Sequence, residues 1–135
     1  MCQGILSTER MVALTGIVLL SHGSHSLDQQ RQMEIIRKEI SFRFPHQLVR
    51  RASLLQGQET LFSVLEELNG LEVQQILVVP CFLFDGIHTQ KNIPELIRSF
   101  CSCHNSVSIT ICDILGKDPQ IVDIISHQIA KKISR

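Results

Sequence analysis

The sequence has no tryptophan and no tyrosine, which leaves little with which to stack the bases of single-stranded nucleic acid. It also lacks net charge: thirteen Lys+Arg stand against thirteen Asp+Glu. Nucleic-acid binders usually carry a basic excess that neutralises phosphates, so that class is disfavoured. An acidic ligand would have to be held by local dipoles and a few placed cations. No long hydrophobic run is present. The longest, Ile76–Phe84, is nine residues counting Pro80, against the about 20 of a membrane span. The five cysteines (Cys2, Cys81, Cys101, Cys103 and Cys112) are odd in number and follow no framework spacing. That pattern points to a reducing compartment, the cytoplasm. Arg10 followed by Met11–Leu20 has the look of a short signal-peptide core. However, Glu9 precedes it and Ser21-His22-Gly23-Ser24 follows, the form of a strand running into a loop.

What is present is a chain of 135 residues, 44% hydrophobic and 19% charged. That length predicts one domain, and that balance excludes a disordered one. Residues 1–15 show no period and read as a tail ahead of a single domain over 16–135. From Gly16 onward, short apolar runs alternate with helical periods. Gly16–Leu20 is continuously apolar, as a buried strand is. Ser26 and Gln29 form a capping box, and Met33, Ile36, Ile40 and Phe44 follow at spacings of three and four, ending before Pro45. Leu48–Leu55 is a second strand, interrupted by Arg50 and Arg51. Leu61, Leu65 and Leu68 make a second helix that stops at Gly70. A third strand lies within Val73–Phe84, and Asn92, Pro94 and Glu95 open a third helix through Phe100. Val107, Ile109 and Ile111 alternate with polar residues, and Asp118-Pro119 caps a last helix striped by Val122, Ile125, Ile129 and Ile133.

Four strand–helix units imply right-handed crossovers and a parallel sheet covered by helices, a three-layer α/β/α fold. The wholly apolar strands, one and three, belong in the centre, and the polar-interrupted strands, two and four, at the edges. The order 2-1-3-4 satisfies this, with flavodoxin-like winding. Strands one and three are then neighbours whose helices cross to opposite faces. Open α/β sheets bind ligands at such a switch point, beyond the carboxyl ends of the strands.

Strand one runs out into His22-Gly23-Ser24-His25 and strand three into Asp85-Gly86-Ile87-His88. Two histidines far apart in sequence therefore leave adjacent strands at one sheet edge. Neutral imidazole ligates first-row divalent metals and accepts a proton near pH 7. Gly23 and Gly86 remove side chains beside the histidines and so let something large and flat approach, although Gly86 is also explained by a turn. The first turns of helices one and three aim N–H groups at the same crevice, which suits ligand carboxylates. Other features have plainer readings. Asn92 is explained as an N-cap with Glu95 as its capping-box partner. His46, His104 and His127 read as surface residues. Cys101-Ser102-Cys103-His104 has the wrong spacing for structural zinc. Cys81 and Cys112 read as small core hydrophobes.

Two motifs carry a resemblance. The first is an apolar strand followed by His22-Gly23-Ser24. The second is the Pro80-containing strand followed by Gly86-Ile87-His88 and then Asn92-Ile93-Pro94. With this separation and strand–helix pattern the chain resembles the short-form CbiX/SirB family of sirohydrochlorin chelatases over about residues 16–130. The resemblance implies a cytoplasmic homodimer that inserts cobalt, iron or nickel into sirohydrochlorin without ATP or an organic cofactor, in siroheme or cobalamin biosynthesis. It implies His22 and His88 as catalytic metal ligands, with Gly23, Ser24, Gly86 and Asn92 around the tetrapyrrole. The chain departs from the family at three points. His25 stands where the family has Arg, and Asn92 where it has Asp. Leu54-Leu55-Gln56-Gly57-Gln58-Glu59 has its nearest carboxylate at Glu59, where the family has a Glu just after strand two. These departures motivate a second expectation, a non-catalytic metal or tetrapyrrole carrier. A histidine phosphatase-like hydrolase is a third, ranked last because Ser21 stands where that chemistry wants Arg.

Overall fold

The computed structural model describes residues 14–54, 59–87 and 91–133. The chain runs β1 (Thr15–Ser21), α1 (Leu27–Arg43), β2 (Leu48–Ser53), α2 (Leu61–Gly70), β3 (Gln75–Pro80), α3 (Ile93–Cys103), β4 (Ser108–Ile111), a 3-10 turn (Leu115–Lys117) and α4 (Gln120–Ile133). The strands form one parallel sheet of order β2-β1-β3-β4, as the chemistry of the strands predicts. Thr15–Leu20, part of the apolar run that could be mistaken for a leader, lies in β1, one of the two central strands. Thr15, expected in the tail, already belongs to it, because its N–H is held by Gln47 Oε1 at 2.9 Å. The rest of the expected tail, residues 1–13, lies outside the described residues. Strands two and three are shorter than the apolar runs that mark them: an apolar residue needs burial, and Leu54 and Phe82 get it from the loops beyond the sheet. No described helix is long and apolar enough to cross a membrane.

The two sheet faces are unequal. One carries α2 and α3, whose Leu61, Val64, Leu65, Leu68, Ile97 and Phe100 meet Val18, Leu20, Ile76 and Val78 of the sheet in one cluster. Each such side chain contributes about 1.5–3 kcal/mol of burial. The other face has a much smaller buried cluster, Ile17, Leu19 and Val49, against which Met33 and Ile40 of α1 pack. Ile36 and Phe44, expected on the buried stripe of α1, are exposed. The largest departure from expectation is α4. Its apolar stripe is present, yet no residue of the helix is buried. Periodicity says that a helix has a face to bury, not what will cover it.

Helix ends follow local chemistry. Ser26 caps α1, its Oγ accepting from Gln29 N–H at 3.4 Å, and Thr60 caps α2 in the same way through Ser63 N–H at 3.2 Å. α2 ends at Gly70, as the sequence predicts, and the left-handed residue that turns the chain follows two positions on. Val73 N–H reaches back to Leu68 O at 3.3 Å, and Glu72 holds the left-handed conformation with φ 62°. A side chain there is strained, and glycine is not. Glu72→Gly is therefore expected to raise stability by about 0.5–1 kcal/mol, measured as a shift in the urea midpoint at unchanged slope.

Candidate active site at the carboxyl edge of the sheet

β1 and β3 run side by side in register, Leu20 opposite Pro80, so their exits open at the same edge. His22 leaves β1 exposed to solvent but with its ring stacked on buried Phe82, centroids 4.2 Å apart and planes 23° apart. That stack joins the two exits and fixes the plane of the imidazole. Gly23 then takes φ 88°, a conformation that a side chain would strain, and turns the chain away from the imidazole. The loop folds back on the start of α1: Ser24 Oγ accepts from Ser26 N–H at 2.9 Å, and Ser24 O accepts from Gln30 Nε2 at 2.8 Å. His25 follows, exposed in a bend.

The loop beyond β3 is braced from below by the 3-10 turn that precedes α4. Gly116 N–H donates to Phe82 O at 3.3 Å, and Lys117 Nζ lies 3.1 Å from Asp85 Oδ2. Gly116 packs so closely that a Cβ built on it would overlap the carbonyl oxygen of Leu83. Phe84 and Ile87 are exposed on the braced loop, and a Cβ on Gly86 would meet open space. Among the described residues nothing occupies the room beside Gly86, as a flat ligand requires. His88 lies outside the described residues, as do Leu55, Gln56, Gly57 and Gln58. Asn92 is described, and it corrects the capping expectation. Its backbone is already helical, φ −67° and ψ −42°, and its side chain makes no cap hydrogen bond. An N-cap needs extended backbone geometry, which Asn92 lacks because a helical turn already runs through Lys91.

On the other side of the β1 loop a crevice of about 590 Å³ opens between the exits of β1 and β2, lined by Ser21, Gly23, Arg51, Ser53 and Glu59 among others. This crevice lies one strand away from the β1–β3 gap that the sheet order predicts, and none of its lining residues comes from β3. Arg51, read from sequence only as an interruption of the strand, turns toward α1. Its Nη1 donates to Gln30 O at 2.7 Å and its Nε lies 3.3 Å from Glu34 Oε1. Glu34 also takes Arg37 at 2.7 Å. The Arg37 hydrogen bond, with the nearby Arg51 and Lys38 charges, holds the Glu34 carboxyl below its ordinary value despite its partial burial. Glu59 is tied to the edge through its backbone, its carbonyl accepting from Ser53 N–H at 2.8 Å. Cys81, half-buried at the end of β3, has its thiol pKa raised by burial.

His46 and His127 are exposed. His104 is more than a surface residue: it closes α3, its backbone N–H donating to Phe100 O at 3.1 Å and its ring stacking on Phe100 at 4.2 Å. Cys101 and Cys103 belong to α3, and among the described residues no group of three His, Cys, Asp or Glu side chains could hold a metal. Sequence reasoning missed Phe82 as the platform for His22 and missed the Gly116–Lys117 brace. An isolated glycine before a helix gives no sign that it packs on a distant carbonyl.

A parallel sheet wound in this order, with a histidine-bearing loop at the switch point, defines a chelatase-like α/β protein. Solved structures bear out the fold. A putative cobalamin biosynthesis CbiX protein from Marinobacter aquaeolei superposes with a TM-score of 0.76 at 25% identity, covering 90% of this chain and 98% of that one. The sirohydrochlorin chelatase SirB of Bacillus subtilis subspecies spizizenii, solved in complex with cobalt, superposes at 0.79 with 21% identity, covering 88% of this chain and 51% of that one. Among sequence relatives, a sirohydrochlorin cobaltochelatase from Methanosarcina barkeri is 25% identical over 130 residues, 91% of this chain and 100% of that protein. Another from Methanococcoides burtonii is 26% identical over 83 residues, a match spanning 62% of this chain and 63% of that protein. The sequence profile of the CbiX family matches residues 16–132, and the chain belongs to that family.

Proposed function

We propose that this protein is an enzyme that inserts a divalent metal (cobalt, iron or nickel) into sirohydrochlorin without ATP, in siroheme or cobalamin biosynthesis. The observation that carries the reading is the His22 ring held on Phe82 where β1 and β3 leave the sheet. An exposed imidazole fixed in plane at a switch point suits a group that must hold an incoming ion and then release it. Two imidazoles, His22 and His88, take the metal partly dehydrated and leave coordination positions open to the ring nitrogens. As each metal–imidazole bond breaks, a metal–pyrrole bond forms. Two pyrrole N–H protons pass to a base and on to water, so the charge of the entering cation is balanced. Gly23, Ser24, Gly86 and Asn92 border the macrocycle, and the polar crevice at Arg51 receives its carboxylate side chains. The reading includes a homodimer in the cytoplasm, where the four described cysteines stay free thiols.

The test is an absorbance assay of the purified protein with sirohydrochlorin and Co(II), Fe(II) or Ni(II) under anaerobic conditions. Catalytic spectral change beyond the uncatalysed rate is expected. Stoichiometric binding with no turnover would replace the enzyme by a carrier. The chain's departures at Asn92 and after β2 favour that second reading. Glu59 decides between them. Among the residues lining the crevice it is the carboxylate, and the reaction requires a proton acceptor. Glu59→Gln is expected to lower kcat by about 10²-fold with little change in KM.

A further inference from the structure

α4 is a helix without a seat. Val122, Ile124, Ile125, Ile129 and Ile133 are 51–76% exposed, and no residue of the helix is buried. A 14-residue helix is marginal in water unless an apolar face is packed. The sheet has the complementary defect. On the α1 face, β3 offers half-buried Leu77 and Val79 and β4 offers exposed Thr110; the fully buried residues there belong to β1 and β2, with Val79 at the margin of their cluster. We propose that α4 is exchanged between two copies of this chain, each laying its apolar stripe across the β3–β4 half of the other's α1 face.

A second copy is the occupant that fits. One chain carries both the unseated helix and the uncovered strands, so a two-fold pair satisfies both at once. Within one chain α4 is not seated on its own sheet, since none of its residues is buried. The segment at its root is held by Gly116 N–H on Phe82 O at 3.3 Å and by the Lys117–Asp85 pair. The same fold also occurs as about half of the longer SirB chain, where it has further polypeptide beside it. The inference rests on the homodimer reading above, and adds to it which element crosses.

Sedimentation of the full-length protein should give twice the 15.3 kDa chain mass. In a dimer mixed from ¹³C-methyl-labelled and unlabelled copies, filtered NOEs should link Ile125 and Ile129 of one copy to Leu77 and Val79 of the other. The double variant Ile125→Asp/Ile129→Asp should sediment at the single-chain mass with its far-UV spectrum retained. Should that variant not fold, the wild-type NOEs decide alone. A monomer at every concentration overturns the proposal. So does a dimer whose α4 NOEs are all within one chain, which leaves the homodimer standing. Cross-copy NOEs in a protein that fails to metallate sirohydrochlorin uphold the exchange and overturn only the chelatase reading.

Discussion

Replacing His22 by alanine is expected to lower the rate of cobalt insertion into sirohydrochlorin by about 100-fold or more, and His88→Ala to do the same. For His22 the fold should be untouched, because the ring is exposed at the sheet edge and its stack on Phe82 is a contact of one face. Far-UV spectra and denaturation midpoints should therefore match the wild type while the absorbance assay shows the loss. His22→Asn, which keeps a small polar side chain and removes the imidazole, separates ligation from mere polarity. If the asparagine variant retains full activity, the imidazole is not what holds the ion. If both alanine variants turn over at the wild-type rate, the site lies elsewhere and the metal-insertion mechanism written for this edge fails.

The second large effect comes from a residue that touches no ligand. Gly116→Ala places a methyl group where the Leu83 carbonyl stands. A flexible side chain could rotate aside, but a backbone oxygen cannot, so either the 3-10 turn or the loop after β3 must shift. The expected cost is about 3 kcal/mol, the upper part of the range for overpacking, together with rupture of the Gly116–Phe82 hydrogen bond. The displaced loop is the one that leads through Gly86 to His88. The variant should thus lose insertion activity at temperatures where it is still folded. A thermal melt beside the cobalt assay tests this: an unchanged midpoint with full activity would show that the brace does not set the site.

The sheet order was legible because strand composition reports neighbours. A strand segment buried on both faces must be apolar, as Gly16–Leu20 of β1 is, while Arg50 and Arg51 mark β2 as an edge whose charges reach Glu67 and Glu34. The cap at Ser26 is equally local, one hydroxyl and one amide three residues on. The same reasoning misplaced Asn92, since a capping sequence cannot show that a helical turn already precedes it. It also missed Phe82 and Gly116, whose roles exist only once segments distant in sequence meet. Exposure of α4 was invisible for a related reason: the stripe of Val122, Ile125, Ile129 and Ile133 reports an apolar face and says nothing of what covers it.

Cys81 stands at the end of β3, one residue before the ring that carries His22. A thiolate in that position would be a soft, strongly binding trap for cobalt or nickel. Burial keeps the sulfur protonated instead, and its hydrogen points to the Val79 carbonyl at 3.7 Å. On the proposed function, Cys81 is thus a weaker competitor for the ion than an exposed thiol would be, and metal reaching this edge would stay exchangeable.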